Sequence, residues 1–211
     1  MQKLLLAAVI LVCSCALASA QSPGQPRAEI FAGYSVLRTS YEPELPRGSL
    51  MPIVLAFKGD QTLTGFNASV GWYLTDRFGM TADVSGHVTT DTLAGPLGDI
   101  ATRIRVLTAL AGPQYKFRNR SRVAPFVRAL AGIAHTSARL RAGGASGTNS
   151  STDFAVALGG GIDVRVGEFI DLRLIQADYT PIFLSRGNNL GFGRARADNV
   201  RFSSGVTVVW K

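Results

Sequence analysis

From residue 28 onward, apolar and polar side chains alternate with a period of two, and no stretch carries a sustained helical repeat. The final segment is the plainest case. Val200, Phe202, Ser204, Val206, Val208 and Trp210 share one face, and Asn199, Arg201, Ser203, Gly205, Thr207 and Val209 share the other. Phe154, Val156, Leu158, Gly160, Ile162 and Val164 oppose Asp153, Ala155, Ala157, Gly159, Gly161, Asp163 and Arg165 in the same way. Leu107, Ala109, Ala111, Pro113, Tyr115 and Phe117 oppose Thr108, Leu110, Gly112, Gln114 and Lys116. One face is apolar each time, and the other is small, polar or charged. The pattern predicts strands near 28–38, 62–74, 78–88, 103–117, 123–136, 153–166, 169–181 and 198–210.

A soluble sandwich also alternates, so the connections decide between the two. Those at 75–77, 118–122 and 166–168 are tight. Those at 39–61, 89–102, 137–152 and 182–197 are long and rich in Gly, Ser, Asn, Thr and Pro. An even number of strands with short turns at one end and long loops at the other describes a transmembrane antiparallel up-and-down β-barrel, all-β, with periplasmic turns and extracellular loops. Both termini then lie at the short-turn end. Gly143 to Ser151 is low in complexity and is expected to be a mobile loop tip.

Composition changes this picture only by exclusion. Of 211 residues, 46% are hydrophobic and 17% charged, too apolar and too weakly charged for a disordered chain. Past the N-terminus no apolar run approaches the ~20 residues of a spanning helix. Residues 1–20 read as a signal peptide: Lys3 is the positive region, Leu4 to Val12 the apolar region, and Ala18-Ser19-Ala20 the cleavage site. The barrel domain is therefore expected over 21–211. Cys13 and Cys15 leave with the leader, so neither a disulfide framework nor a cysteine metal site is expected. Loss of Lys3 leaves 21 basic and 14 acidic residues, a net charge of +7.

Aromatic residues gather at one rim. Strands running toward the short-turn end finish at Trp72-Tyr73, Tyr115-Phe117 and Trp210, and strands leaving it begin near Phe31, Phe78, Phe126 and Phe169. That is the placement of an interfacial girdle. With Glu29-Ile30-Phe31-Ala32-Gly33-Tyr34-Ser35, Leu110-Ala111-Gly112-Pro113-Gln114-Tyr115, Pro125-Phe126, Gln176-Ala177-Asp178-Tyr179 and the last strand, the chain resembles the OmpA/OmpX-like eight-stranded outer-membrane β-barrel domains. The resemblance covers nearly all of 21–211 and is specific for fold, not for activity. It implies location in the cell outer membrane and a last strand read by the barrel-insertion machinery, here through Phe202, Val206, Val208 and Trp210. Such barrels usually end on an aromatic residue, whereas Lys211 follows Trp210 here. No peptidoglycan-binding domain is expected after the barrel.

An eight-stranded barrel is just wide enough for its own side chains to fill it. The inward positions include Glu29, Asp83, Arg128, Asp163, Arg165, Arg173 and Arg201. Isolated burial of such charges is costly, so a paired structural network is expected. Arg173 and Asp178 have opposite parity, and a bulge between them would bring both inward.

Candidate chemistry is sparse. His87 and His135 are the only histidines, neither in a metal-ligand cluster. His135-Thr136-Ser137 places a base and a hydroxyl on one face, similar to the His-x-Ser of outer-membrane lipid A deacylases, but no carboxylate is in line to orient the ring. The basic charge accompanies no nucleic-acid motif. Arg118, Arg120 and Arg122 suit a turn beside anionic headgroups, and Arg139, Arg141, Arg194 and Arg196 suit the phosphates of outer-leaflet lipopolysaccharide. The sequence thus predicts a monomeric, non-enzymatic, cofactor-free outer-membrane barrel with a structural or surface-interaction role, its loop ligand unspecified. The alternatives are a small porin-like channel and a lipid A-modifying enzyme.

Overall fold

The computed structural model describes residues 28–40, 61–93, 100–118, 121–142, 145–183 and 196–210. The leader, its cleavage site, Arg120, Arg194 and Lys211 lie outside the described residues. The strands are β1 Ala28–Ser40, β2 Gln61–Tyr73, β3 Phe78–Leu93, β4 Ile100–Lys116, β5 Val123–Ala142, β6 Ala145–Arg165, β7 Ile170–Tyr179, β8 Ile182–Phe183 and β9 Arg196–Trp210. Each pairs antiparallel with its neighbours, and β9 returns to pair with β1 from Ala28↔Trp210 to Ser40↔Asp198. The sheet closes on itself.

The ring contains eight strands, because β7 and β8 are one strand interrupted at Thr180-Pro181. Both halves keep one register against β6 (Leu158↔Tyr179, Ala155↔Ile182) and against β9 (Tyr179↔Val200, Ile182↔Ala197). Proline has no amide hydrogen to give the ladder, so pairing lapses there. The Pro181 carbonyl still accepts from Val156 N–H at 3.2 Å. Short turns join β2 to β3, β4 to β5 and β6 to β7 at the end where residues 28 and 210 also lie.

Two long connections are shorter than expected. β3 and β4 stay paired out to Leu93↔Ile100, and β5 and β6 out to Ala142↔Ala145. Most of 89–102 and 137–152 is therefore strand, including residues 145–151 of the stretch expected as a mobile tip. The Thr- and Ser-rich composition that reads as a loop also suits a ladder with water on both faces, since its backbone bonds need no apolar face.

Parity runs opposite to that of a soluble barrel. Exposed outward positions are mostly apolar, among them Tyr34, Phe66, Met80, Val127, Ile133, Leu158, Leu172 and Val206. The interior divides in two. Toward the long-connection end Leu37, Leu63, Val106, Leu110, Leu130, Ala134, Ala155, Ala157 and Ile182 form an apolar cluster, with His87, Asp153 and Asn199 buried beside it. Toward the turn end the interior is charged.

Aromatic placement departs from a simple girdle. Phe78, Phe117, Phe169 and Trp210 are exposed at the turn rim, but Phe31, Tyr73 and Phe126 are buried in the lumen. A second exposed set, Tyr34, Phe66, Phe154, Phe183 and Phe202, lies farther along the strands.

Candidate functional site

The alternation that lays apolar groups outside delivers polar groups to the lumen rung by rung, and the lower half holds two linked charge clusters. The first centres on Arg173, fully buried on β7. Its Nε and Nη2 donate to Asp163 Oδ1 and Oδ2 at 2.7 and 3.1 Å, and its Nη1 donates to Gln176 Oε1 at 2.8 Å. The guanidinium carbon stands 4.4 Å from the Phe31 ring centre and 4.2 Å from that of Phe126. Planar stacking on two aromatic faces leaves the fork free to bind the carboxylate edge-on. Lys116 adds a second cation, 2.9 Å from Glu29 Oε2 and 2.7 Å from Asp163 Oδ2. Gln114 Nε2 donates to Glu29 Oε1 at 2.8 Å and to the Tyr73 hydroxyl at 2.7 Å.

Two glycines make the room. A Cβ on Gly71 would meet Glu29 Cγ at 2.9 Å, and one on Gly161 would meet Phe126 Cζ at 2.8 Å. Any larger residue there would push the carboxylate or the ring off its partner.

The second cluster is a square of alternating charge. Arg128 binds Asp178 through Nε at 3.0 Å and Nη2 at 2.8 Å, and its Nη1 stands 3.0 Å from Asp83 Oδ2. Arg201 reaches Asp83 Oδ1 and Asp178 Oδ2, each at 2.9 Å. Asn67 donates to Asp83 Oδ2 at 2.9 Å. Gln176 joins the clusters, donating to Asp178 Oδ2 at 2.8 Å and to Asn67 Oδ1 at 3.2 Å while accepting from Arg173. Above them His87 Nε2 and Ser35 Oγ share a hydrogen bond of 2.9 Å, and Ser203 donates to the same hydroxyl.

The structure thus brings together Glu29, Asp83, Arg128, Asp163, Arg173 and Arg201 of the residues expected in the lumen. Arg165 is the exception: it has the inward parity but lies at the turn end of β6 and is exposed. Parity assigns a face, not burial: the register partner of Arg165, Asp171, is buried beside Lys116, whereas the Arg165 side chain is exposed. Lys116 and Gln114 also join the clusters, and their place on the small-or-polar face of β4 is the signal that marks them. Asp178 needed the bulge: the register shifts between Arg173 and Gln176, leaving Leu174 and Ile175 both exposed and both flanking charges inside.

On the outer surface His135 Nδ1 bonds Thr152 Oγ1 at 2.8 Å, while Asp153 is buried on the opposite face of its strand. Among the described residues no carboxylate is bonded to that ring, and its Nδ1 is engaged by Thr152 instead. Among the described residues no group of three or more His, Cys, Asp or Glu is placed to hold a metal ion.

Comparison with known proteins agrees with this geometry. The family profile described as outer membrane protein beta-barrel domain matches residues 4–207. No curated protein matches the chain. Among solved structures it is similar to Ail, the attachment invasion locus protein of Yersinia pestis, at 16% identity and a TM-score of 0.56, over 87% of this chain and 99% of that one. Neisserial surface protein A aligns over 87% of this chain and 97% of its own, at 17% identity and a TM-score of 0.53. OprG from Pseudomonas aeruginosa aligns over 88% and 96%, at 14% identity and 0.51. Likeness at these identities is a likeness of fold.

Proposed function

The chain belongs to the outer membrane protein beta-barrel domain family, and from that membership we propose that it is a monomeric, non-conducting barrel with a structural and surface-interaction role. The lumen carries this reading. Arg128, Asp83, Arg201 and Asp178, from β5, β3, β9 and β7, bridge the interior, and the apolar cluster stands above them. A hydrated ion would have to break paired buried charges, at a cost of several kcal/mol, and then pass the close-packed side chains beyond them. The extended β3–β4 and β5–β6 hairpins present a polar platform beyond the membrane. The Thr152 hydroxyl, not a carboxylate, holds the His135 ring, which supports a non-enzymatic reading.

Single-channel recording in planar bilayers tests the proposal. Purified barrel is expected to give no steady unitary conductance. A stable, repeatable step would overturn the reading in favour of a small channel. Incubation with lipid A followed by mass analysis is expected to return the lipid unchanged, and loss of an acyl chain would restore the enzyme.

A further inference from the structure

The outer face of β4 and β5 carries a cluster that the lumen does not explain. Arg103 and Arg139 are direct cross-strand partners, and Arg105 faces Ser137 one rung nearer the membrane. All three arginines are exposed, and with Ser137 they line one cleft. Like charges directly opposite on a sheet repel and lower its stability. The flanking outward positions offer no relief. Arg103 and Arg105 face Thr90 and Val88 on β3, and Arg139 and Ser137 face Thr148 and Ser150 on β6. Among the described residues no carboxylate occupies this face. Instead Arg139 Nε donates to the Thr148 hydroxyl at 3.2 Å, which fixes its fork without neutralising it.

The height of the cluster narrows which anion suits it. Every outward position is apolar from Tyr115 to Leu107 on β4 and from Pro125 to Ile133 on β5, the ~9–11 residues a tilted strand needs to cross the hydrocarbon. Leu107 pairs with His135, so Arg105 and Ser137 are the next outward rung and Arg103 and Arg139 the one after. Each outward step advances about 5 Å along the membrane normal at barrel tilt. Arg105 therefore stands within the headgroup layer, roughly 5–8 Å deep, and Arg103 and Arg139, about 10 Å beyond Leu107, stand at its outer edge on the side of the long connections. The outer leaflet there is lipopolysaccharide, whose lipid A presents phosphates at that depth. Three forked donors and a hydroxyl suit a phosphate dianion better than a phosphodiester with one charge.

We propose that Arg103, Arg105, Arg139 and Ser137 form a lipid A phosphate site on the outside of the barrel. The site rests on the family reading for the direction in which the long connections point. It is independent of whether the lumen conducts.

The test uses purified barrel in neutral detergent, titrated by native mass spectrometry with bisphosphorylated lipid A, monophosphorylated lipid A, phosphatidylglycerol and sucrose octasulfate. Bisphosphorylated lipid A is expected to bind tightest. The triple variant R103A/R105A/R139A is expected to bind it at least ~10-fold more weakly, since each basic residue near a charged lipid surface contributes about 1 kcal/mol. Heat-modifiable migration of that variant on gels shows that it is folded. The control R77A/R122A, exposed at the turn end, is expected to bind as the parent does. Equal affinity of parent and triple variant would overturn the site, as would equal affinity for phosphatidylglycerol or preference for the octasulfate. Loss confined to the turn-end control would instead show that the assumed direction is reversed.

Discussion

Arg173 concentrates the physics of the lumen in one side chain. It is fully buried, forks onto Asp163, donates to Gln176 and stacks over Phe31 and Phe126. Removing the cation leaves Asp163 with Lys116 as its remaining cation among the described residues. Breaking a buried pair from one side costs more than the pair was worth, because the remaining charge stays desolvated. Arg173→Ala is therefore expected to destabilise the barrel by ~3–5 kcal/mol, measured by urea unfolding in lipid vesicles. Arg173→Lys should recover only part of the loss, since an ammonium cannot fork onto both carboxylate oxygens or stack on two rings. Unchanged unfolding of Arg173→Ala would mean that the clusters bear no load.

At the scale of the element, the last strand meets two demands on opposite faces. Arg201, Ser203 and Thr207 are buried in the lumen, whereas Phe202, Val206 and Trp210 are exposed on the outside. Trp210 pairs with Ala28 at the turn rim, where an indole can hold its ring among acyl chains and its N–H among headgroups. Before the ring closes, this outward face and the backbone edge that will pair with β1 are both open to another protein. We expect Trp210→Ala to lower membrane yield in cells more than it lowers unfolding free energy in vesicles. Equal losses would make Trp210 an interfacial anchor only, and normal yield would place the assembly signal elsewhere in the strand.

At the scale of the whole molecule, closure is the main source of robustness. The β1–β9 pairing removes the edges that an open sheet would present, and in hydrocarbon an unpaired backbone group costs several kcal/mol. Unfolding must then break the ring and the charge clusters together. The unheated protein is accordingly expected to run as a compact band in dodecyl sulfate and to shift on boiling. A band indifferent to heat, or recovery in the soluble periplasmic fraction, would contradict the closed membrane-embedded ring.

Which face each residue occupies was legible from the chain alone, because a period of two is local. Glu29, Asp83, Arg128, Asp163 and Arg201 follow from it directly, as does the outward set of β9. So was the eight-strand count, since the tight turns at 75–77 and 166–168 punctuate the alternation. What alternation does not encode is burial and partner. Arg165 has the same parity as Asp163 yet is exposed, and Phe31 and Phe126 turn inward to stack on Arg173 instead of joining the rim. The bulge at Leu174-Ile175 decides that Asp178 meets Arg128 and Arg201, and ring closure decides that β3 and β9 place Asp83 against Arg201. The tops of β5 and β6 likewise became a ladder only because their backbones found each other. Periodicity is carried by neighbours two residues apart. Closure and cross-lumen pairing join residues far apart in the chain, 87 positions for Lys116 and Glu29 and 118 for Arg201 and Asp83, and only the folded ring brings those together.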